Sequence, residues 1–151
     1  MTVFLDTGPL GIITNPKKPP STILALKWVR DMIEAGHRFV VPAIADYEVR
    51  RELERAGKLS GLAALDAWNH ATSDRFLYLS PSALRLGAKL WAQARNNGTP
   101  TADIRELDCD VLIAAQALDT GLHISEFVIA TVNVRHLTLF APAEEWQNIH
   151  P

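Results

Sequence analysis

The chain opens on a short apolar run, Val3-Phe4-Leu5, that ends on Asp6 and is broken at once by Thr7-Gly8-Pro9. A continuous run of β-favouring residues between turn signals reads as a strand buried on both faces. The pattern returns at Arg38-Phe39-Val40-Val41-Pro42, at Phe76-Leu77-Tyr78-Leu79 and at Phe127-Val128-Ile129-Ala130. Between these runs the apolar residues recur at helical spacing. Ile23, Leu24, Leu26, Trp28, Val29, Met32 and Ile33 make one such face, stopped by Gly36. The charge-rich stretch Ala43 to Ala56 makes another, with Ile44, Tyr47, Val49 and Leu53 on its apolar side, and Leu59 to Ala71 a third. Strands that alternate with helices predict an α/β fold, a parallel sheet covered by helices on both faces.

Local signals refine this outline. Glycines and prolines are dense from Gly8 to Pro20, which predicts a loop, with Ser21 capping the helix that follows. Ser80-Pro81 is a specific helix start, an N-cap followed by proline at the first helical position. That helix carries Leu84, Leu86, Leu90, Trp91 and Ala94. Asp103 and Glu106 have the spacing of a capping box, although the helix could instead begin at Asp108. Val111 to Leu118 is apolar nearly all round, as a central buried helix would be. Val134 to Phe140 reads as a short helix or turn. The tail from Pro142 to Ile149 adds an edge strand or packs through Trp146. Trp28, Trp68 and Trp91 lie on apolar helix faces and read as core or subunit interface.

A length of 151 residues suits a single domain spanning 1–151. No apolar run approaches the ~20 residues of a membrane span. No basic region and apolar core mark a signal peptide, so a cytoplasmic protein without membrane association is expected. The lone Cys109 excludes an internal disulfide and reads as a small buried residue. The histidines are scattered, without zinc spacing. A net charge of −2 argues against indiscriminate binding to nucleic acid but leaves room for a local basic groove.

Ligands of open α/β sheets bind outside the carboxyl ends of the strands. Asp6 follows the first strand, Glu48 lies in the helix after the second, Asp110 begins the buried helix, and Asn133 follows the fourth strand. All should face one edge of the sheet. Three carboxylates brought together repel one another unless a cation neutralises them. Oxygen ligands without histidine or thiolate suit Mg²⁺ or Mn²⁺. Such a centre activates water and offsets charge in phosphodiester cleavage.

Phe4-Leu5-Asp6-Thr7, Tyr47-Glu48, the stretch Asp108 to Ala117 and the stretch Ala130 to Leu137 together resemble a PIN domain, in particular a VapC-like toxin ribonuclease. The resemblance runs from the first strand to Leu137. It implies a three-layer α/β/α sandwich with a short central parallel sheet, and Mg²⁺-dependent endoribonuclease activity. It also implies a homodimer and an antitoxin partner that covers the acidic cleft. Carried over by position, Asp6, Glu48 and Asp110 resemble the family's acids and metal ligands. Asn133 falls at a fourth polar position that is often aspartate, and Thr131 orients its neighbours by hydrogen bonds. An amide at position 133 favours one metal ion, held mainly by Asp6 and Asp110, with Glu48 acting through water or as general base.

Other readings compete. Asp6-Thr7-Gly8 matches the triplet of aspartic proteases, but those are all-β and this chain is rich in helical periodicity. A haloacid-type phosphatase wants a second acid where Gly8 stands. A PIN-like module that binds RNA or protein without cutting is the remaining alternative. Glu48 with Arg51, and Glu52 with Arg55, have the spacing of surface charge pairs. Asp108 is the better cap for its helix, which leaves Asp110 for the cleft. His136 reads as a hydrogen-bonded structural histidine. Lys17, Lys18, Arg50, Arg51 and Arg55 either contact phosphate or line a solvated face.

Overall fold

The computed structural model describes residues 1–98 and 104–151, with the side chains of all but 104–107. In chain order the elements are β1 (Thr2–Leu5), α1 (Thr7–Ile13), α2 (Pro20–Glu34), β2 (Arg38–Pro42), α3 (Ala43–Arg55) and α4 (Leu59–Asn69). Then come β3 (Phe76–Leu77), α5 (Pro81–Asn96), α6 (Ile104–Asp119), β4 (Phe127–Thr131) and β5 (Ala143–Glu145). Short 3₁₀ turns occupy Leu137–Leu139 and Trp146–Asn148.

The sheet has the order β3-β2-β1-β4-β5. Every pair is parallel, with Val3 opposite Phe39 on one side and Val128 on the other. All strands therefore point their carboxyl ends the same way. β1 is central, and each of its residues is buried, as a strand covered on both faces must be. The expected three-layer sandwich with a short parallel sheet is the one observed.

The connections explain where a site can form. From β1 the chain steps outward to β2 and then β3, and it returns across the sheet through α5 and α6 to β4 on the other side of β1. The direction of winding reverses between β1 and β4, which opens a crevice outside their carboxyl ends. Asp6 lies just past the end of β1, and Thr131 is the last residue of β4.

The core is built from β1, β2 and β4 against α2 and α6. Phe4 and Phe127 meet edge to face with centroids 5.5 Å apart. Trp28 packs against Phe39 and Trp146, and its Nε1 donates to the Ile149 carbonyl at 2.8 Å, which ties α2 to the carboxyl-terminal segment. Both expectations for the tail hold, since β5 pairs with β4 and Trp146 is buried. Val111, Ile113, Ala114, Ala115 and Ala117 are buried, so α6 is the expected central helix.

Several expectations are corrected. Residues 7–13 form α1 where a loop was expected. Pro9 is tolerated because it is the third helical residue, where the N–H has no intrahelical partner. Gly8 is required there for close approach, because a Cβ would lie 2.6 Å from Val132 Cγ2. α2 starts at Pro20 with Pro19 as its cap, so Ser21 is not the N-cap. Proline at the first helical position supplies the ready-made φ. Tyr47 is exposed and leaves the apolar side of α3, whereas Asp46 is buried. α6 already runs from Ile104, so Asp108 lies inside it and is not its cap. The capping-box reading of Asp103 with Glu106, and the loop at Thr99-Pro100-Thr101, fall outside the described residues. Ser80 caps α5 as expected, accepting from the Ala83 N–H at 2.9 Å. Gly36, at φ 86°, ends α2 as expected. Among the described residues no helix is long and apolar enough to cross a membrane.

Candidate active site

Asp6 is the N-cap of α1 and is 9% exposed. One carboxylate oxygen, Oδ1, accepts from the Thr7 backbone N–H at 2.7 Å, and Oδ2 accepts from the Thr131 hydroxyl at 2.6 Å. The Asp6 N–H donates to the Ala130 carbonyl at 3.0 Å, so the ends of β1 and β4 are clasped at the crevice. Burial raises the Asp6 carboxyl above its ordinary value. The bonds from Thr131 and Thr7 work against that rise, and the charge of Glu48 adds to it.

Glu48 comes from the second turn of α3. Its Oε2 accepts from the Thr7 hydroxyl at 2.7 Å, and its Oε1 lies 3.3 Å from Arg51 Nη2. The expected charge pairing of Glu48 with Arg51 is thus present, but on a glutamate whose side chain is only 18% exposed. Thr7 holds both acids, Asp6 through its backbone N–H and Glu48 through its hydroxyl. Cys109 stands beside Glu48, and burial, reinforced by the Glu48 charge, pushes its thiol up to about 12. The thiol is neutral and inert at ordinary pH.

Asp110 sits in the second turn of α6, with Oδ2 3.2 Å from the Nδ1 of the buried His136. Asn133 reaches the site through its backbone. Its N–H donates to the Thr131 hydroxyl oxygen at 3.0 Å, while its side-chain Oδ1 accepts from the Arg135 N–H at 3.2 Å. The structure therefore brings Asp6, Glu48 and Thr131 into one network. Asn133 supports that network from behind, and Asp110 is held by His136.

The donors that could hold a cation are carboxylate oxygens. Among the described residues no group of three or more His, Cys, Asp or Glu is gathered in a metal-binding cluster. What stands together is the pair Asp6 and Glu48, one of them buried and destabilised by the other's charge. A pair of carboxylates completed by water and phosphate oxygens suits Mg²⁺, which binds through one or two carboxylates and keeps several waters. The donor set fits that ion.

A groove of about 1030 Å³ opens beside Thr7 and Glu48 and runs between the end of α1, α3 and the start of α4. Val49 and Leu53 line it, with Lys17, Arg55 and Lys58 around them. Arg50 is not available to a ligand there. It bridges Asp46 at 2.9 Å and Asp66 at 2.6 Å, and these bonds push its basicity well above the ordinary value.

The sequence matches no protein-family model and no curated protein. Solved structures do match. A chain of the VapBC2 complex of Rickettsia felis, bound to a promoter DNA fragment, superposes with a TM-score of 0.70 at 17% identity. The match covers 97% of this chain and 99% of that one. The chain shares the fold of VapBC proteins. A chain of VapBC-1 from nontypeable Haemophilus influenzae gives a TM-score of 0.68 at 17% identity, over 98% of this chain and 100% of that one. A chain of VapBC from Salmonella typhimurium, bound to DNA, gives 0.65 at 19%, over 97% and 98%. The resemblance to VapC-like PIN domains holds at the level of fold.

Sequence reasoning left two residues out of the site. Thr7 was legible as part of a turn and of the Phe4-Leu5-Asp6-Thr7 stretch, and nothing in the sequence says that its hydroxyl meets a glutamate forty-one positions away. His136 carried a weak signal, a lone histidine after the Thr131–Asn133 turn. Its contact with Asp110 depends on how α6 packs beside that turn.

Proposed function

We propose that this chain is a Mg²⁺-dependent endoribonuclease that hydrolyses RNA phosphodiesters, and that it is the toxin of a toxin–antitoxin pair. The observation that carries the reading is the joint hold of Thr7 on Asp6 and Glu48 at the crevice between β1 and β4. Keeping a buried acid beside a second acid is costly. The pair is understandable where a cation and a phosphate are the intended occupants. The fold shared with VapBC chains supports the toxin assignment.

Asp6 and Asp110 would hold the ion, with Glu48 reaching it through a water. Bound Mg²⁺ or Mn²⁺ would supply Lewis acidity toward a phosphoryl oxygen and lower the pKa of a water. The chain's own groups do the rest. Thr131 and the Thr7 N–H fix the plane of the Asp6 carboxylate, so its lone pairs point in set directions. Glu48 is kept from swinging by the Thr7 hydroxyl and Arg51. Its carboxylate is the group available to take a proton from an attacking water. Lys17 and Lys58 border the adjoining groove and would meet the RNA backbone. An antitoxin segment that lies along the same groove would block access to the acids. A homodimer working in the cytoplasm completes the proposal.

The test is cleavage of a mixed structured-RNA pool by purified protein in Mg²⁺, in Mn²⁺ and in EDTA, beside folded Asp6→Asn and Asp110→Asn variants. Cutting that requires metal and both acids is the expected result. Absence of both cutting and metal binding would replace the nuclease with a binding module. Growth arrest on expression should vanish in Asp6→Ala at equal protein level.

A further inference from the structure

His136 is 7% exposed, and its Nδ1 lies 3.2 Å from Asp110 Oδ2. A buried imidazole needs hydrogen-bond partners, and a carboxylate can only accept. A proton on Nδ1 would let the ring donate across that 3.2 Å approach. The residue is also anchored through its backbone. Its carbonyl accepts from the Leu139 N–H at 3.1 Å as it begins the Leu137–Leu139 turn, and Leu137 beside it is 1% exposed. The segment from Thr131 to His136 thus touches two acids. It bonds Asp6 through the Thr131 hydroxyl at one end and contacts Asp110 through the His136 ring at the other. The Asn133 N–H to Thr131 bond keeps the intervening turn in shape.

We propose that His136 is a positioning residue for Asp110: the Nδ1–H fixes the rotation of the Asp110 carboxylate, and the segment Thr131–His136 sets the spacing of Asp110 relative to Asp6. This rests on the nuclease reading. His136 touches neither RNA nor the reacting atoms. Its effect passes through Asp110, in the way that groups behind a metal ligand orient it and are worth roughly 10- to 100-fold in affinity or rate.

The test compares wild type with His136→Asn, His136→Ala, Asp110→Asn and the double variant His136→Ala/Asp110→Asn. Asparagine can present its Nδ2 where Nδ1 stood, whereas alanine presents no donor. His136→Ala should lower kcat by about 10- to 100-fold with little change in KM, and weaken Mn²⁺ binding, followed by electron paramagnetic resonance, by a similar factor. His136→Asn should recover most of both losses. The double variant should be no worse than Asp110→Asn. Equal losses in the alanine and asparagine variants, an unchanged kcat in alanine, or additive losses in the double variant would each overturn the proposal. If the alanine variant does not fold, ¹⁵N spectra of the wild-type imidazole decide instead. A proton on Nδ1 is expected, and a ring carrying its proton only on Nε2 overturns the proposal. Should wild type cut no RNA yet bind Mn²⁺, the affinities decide the role of His136; should it do neither, the nuclease reading fails and the tautomer decides it.

Discussion

Replacing Thr7 by valine keeps the side chain's shape and deletes one hydroxyl. That hydroxyl donates to Glu48 Oε2 at 2.7 Å, and the glutamate side chain is 18% exposed. Arg51 remains within 3.3 Å of the other carboxylate oxygen, so the charge keeps a partner. A hydrogen bond to a charged group is worth about 1.5–3 kcal/mol, and residual water access places this one near the lower end. The expected loss is about 1.5 kcal/mol. For a chain of this length each kcal/mol shifts Tm by about 2–4 °C, so Tm should fall by roughly 3–6 °C. Urea unfolding in EDTA measures this without interference from metal. Thr7→Ser, which keeps the hydroxyl, should recover most of the loss. A double-mutant cycle with Glu48→Ala should return a coupling of about 1–2 kcal/mol. A Thr7→Val protein as stable as wild type, a serine variant as weak as valine, or a coupling near zero would refute the account of Thr7 as the group that holds the two acids.

Three other outcomes follow from the same geometry. Because burial raises the Asp6 carboxyl, its contribution to stability is complete below the ordinary carboxylate value and is lost as pH rises through the raised one. In EDTA near neutral pH, Asp6→Asn should therefore be more stable than wild type by urea unfolding while RNA cleavage disappears. Asp46 accepts from Arg50 and from Asn69 Nδ2 at 2.7 Å. Asp46→Ala leaves the buried Asn69 amide without its acceptor, while Arg50 keeps Asp66, and should lower unfolding stability by about 1–3 kcal/mol. Asp119 is held below its ordinary value by the Ser80 and Ser82 hydroxyls, which join the start of α5 to the end of α6. Its contribution is complete above that ordinary value and is lost as pH falls through the lowered one. Acid unfolding of Ser80→Ala should accordingly be less steep across this range, and the lost N-cap should cost about 1 kcal/mol.

The alternation of strand and helix, the buried character of β1 and α6, and the Ser80-Pro81 start were all legible because each depends on residues close together in the chain. Errors arose where two local rules conflicted. Between Gly8 and Pro20 the density of glycine and proline outweighed the first-turn tolerance for proline, and α1 went unread. Tyr47 lies exposed although the apolar spacing placed it inward, while Asp46 is buried under Arg50 and Asn69 rather than under apolar neighbours.

The candidate site divides along the same line. Sequence alone was enough to single out Asp6, Glu48, Asp110 and Asn133 by residue type and by place near strand ends and helix starts, with Thr131 added by the family resemblance, and to point to the α/β architecture. Local periodicity and turn chemistry carry that information, and they act over a few residues. Tertiary structure alone decided which of these groups meet. It joined Asp6 to Thr131 across 125 positions and Glu48 to Thr7 across 41. It turned the Asn133 side chain to the Arg135 N–H and set Asp110 against His136. Such contacts follow from the order of strands in the sheet and the packing of α3 and α6 beside it, and no stretch of adjacent residues encodes them.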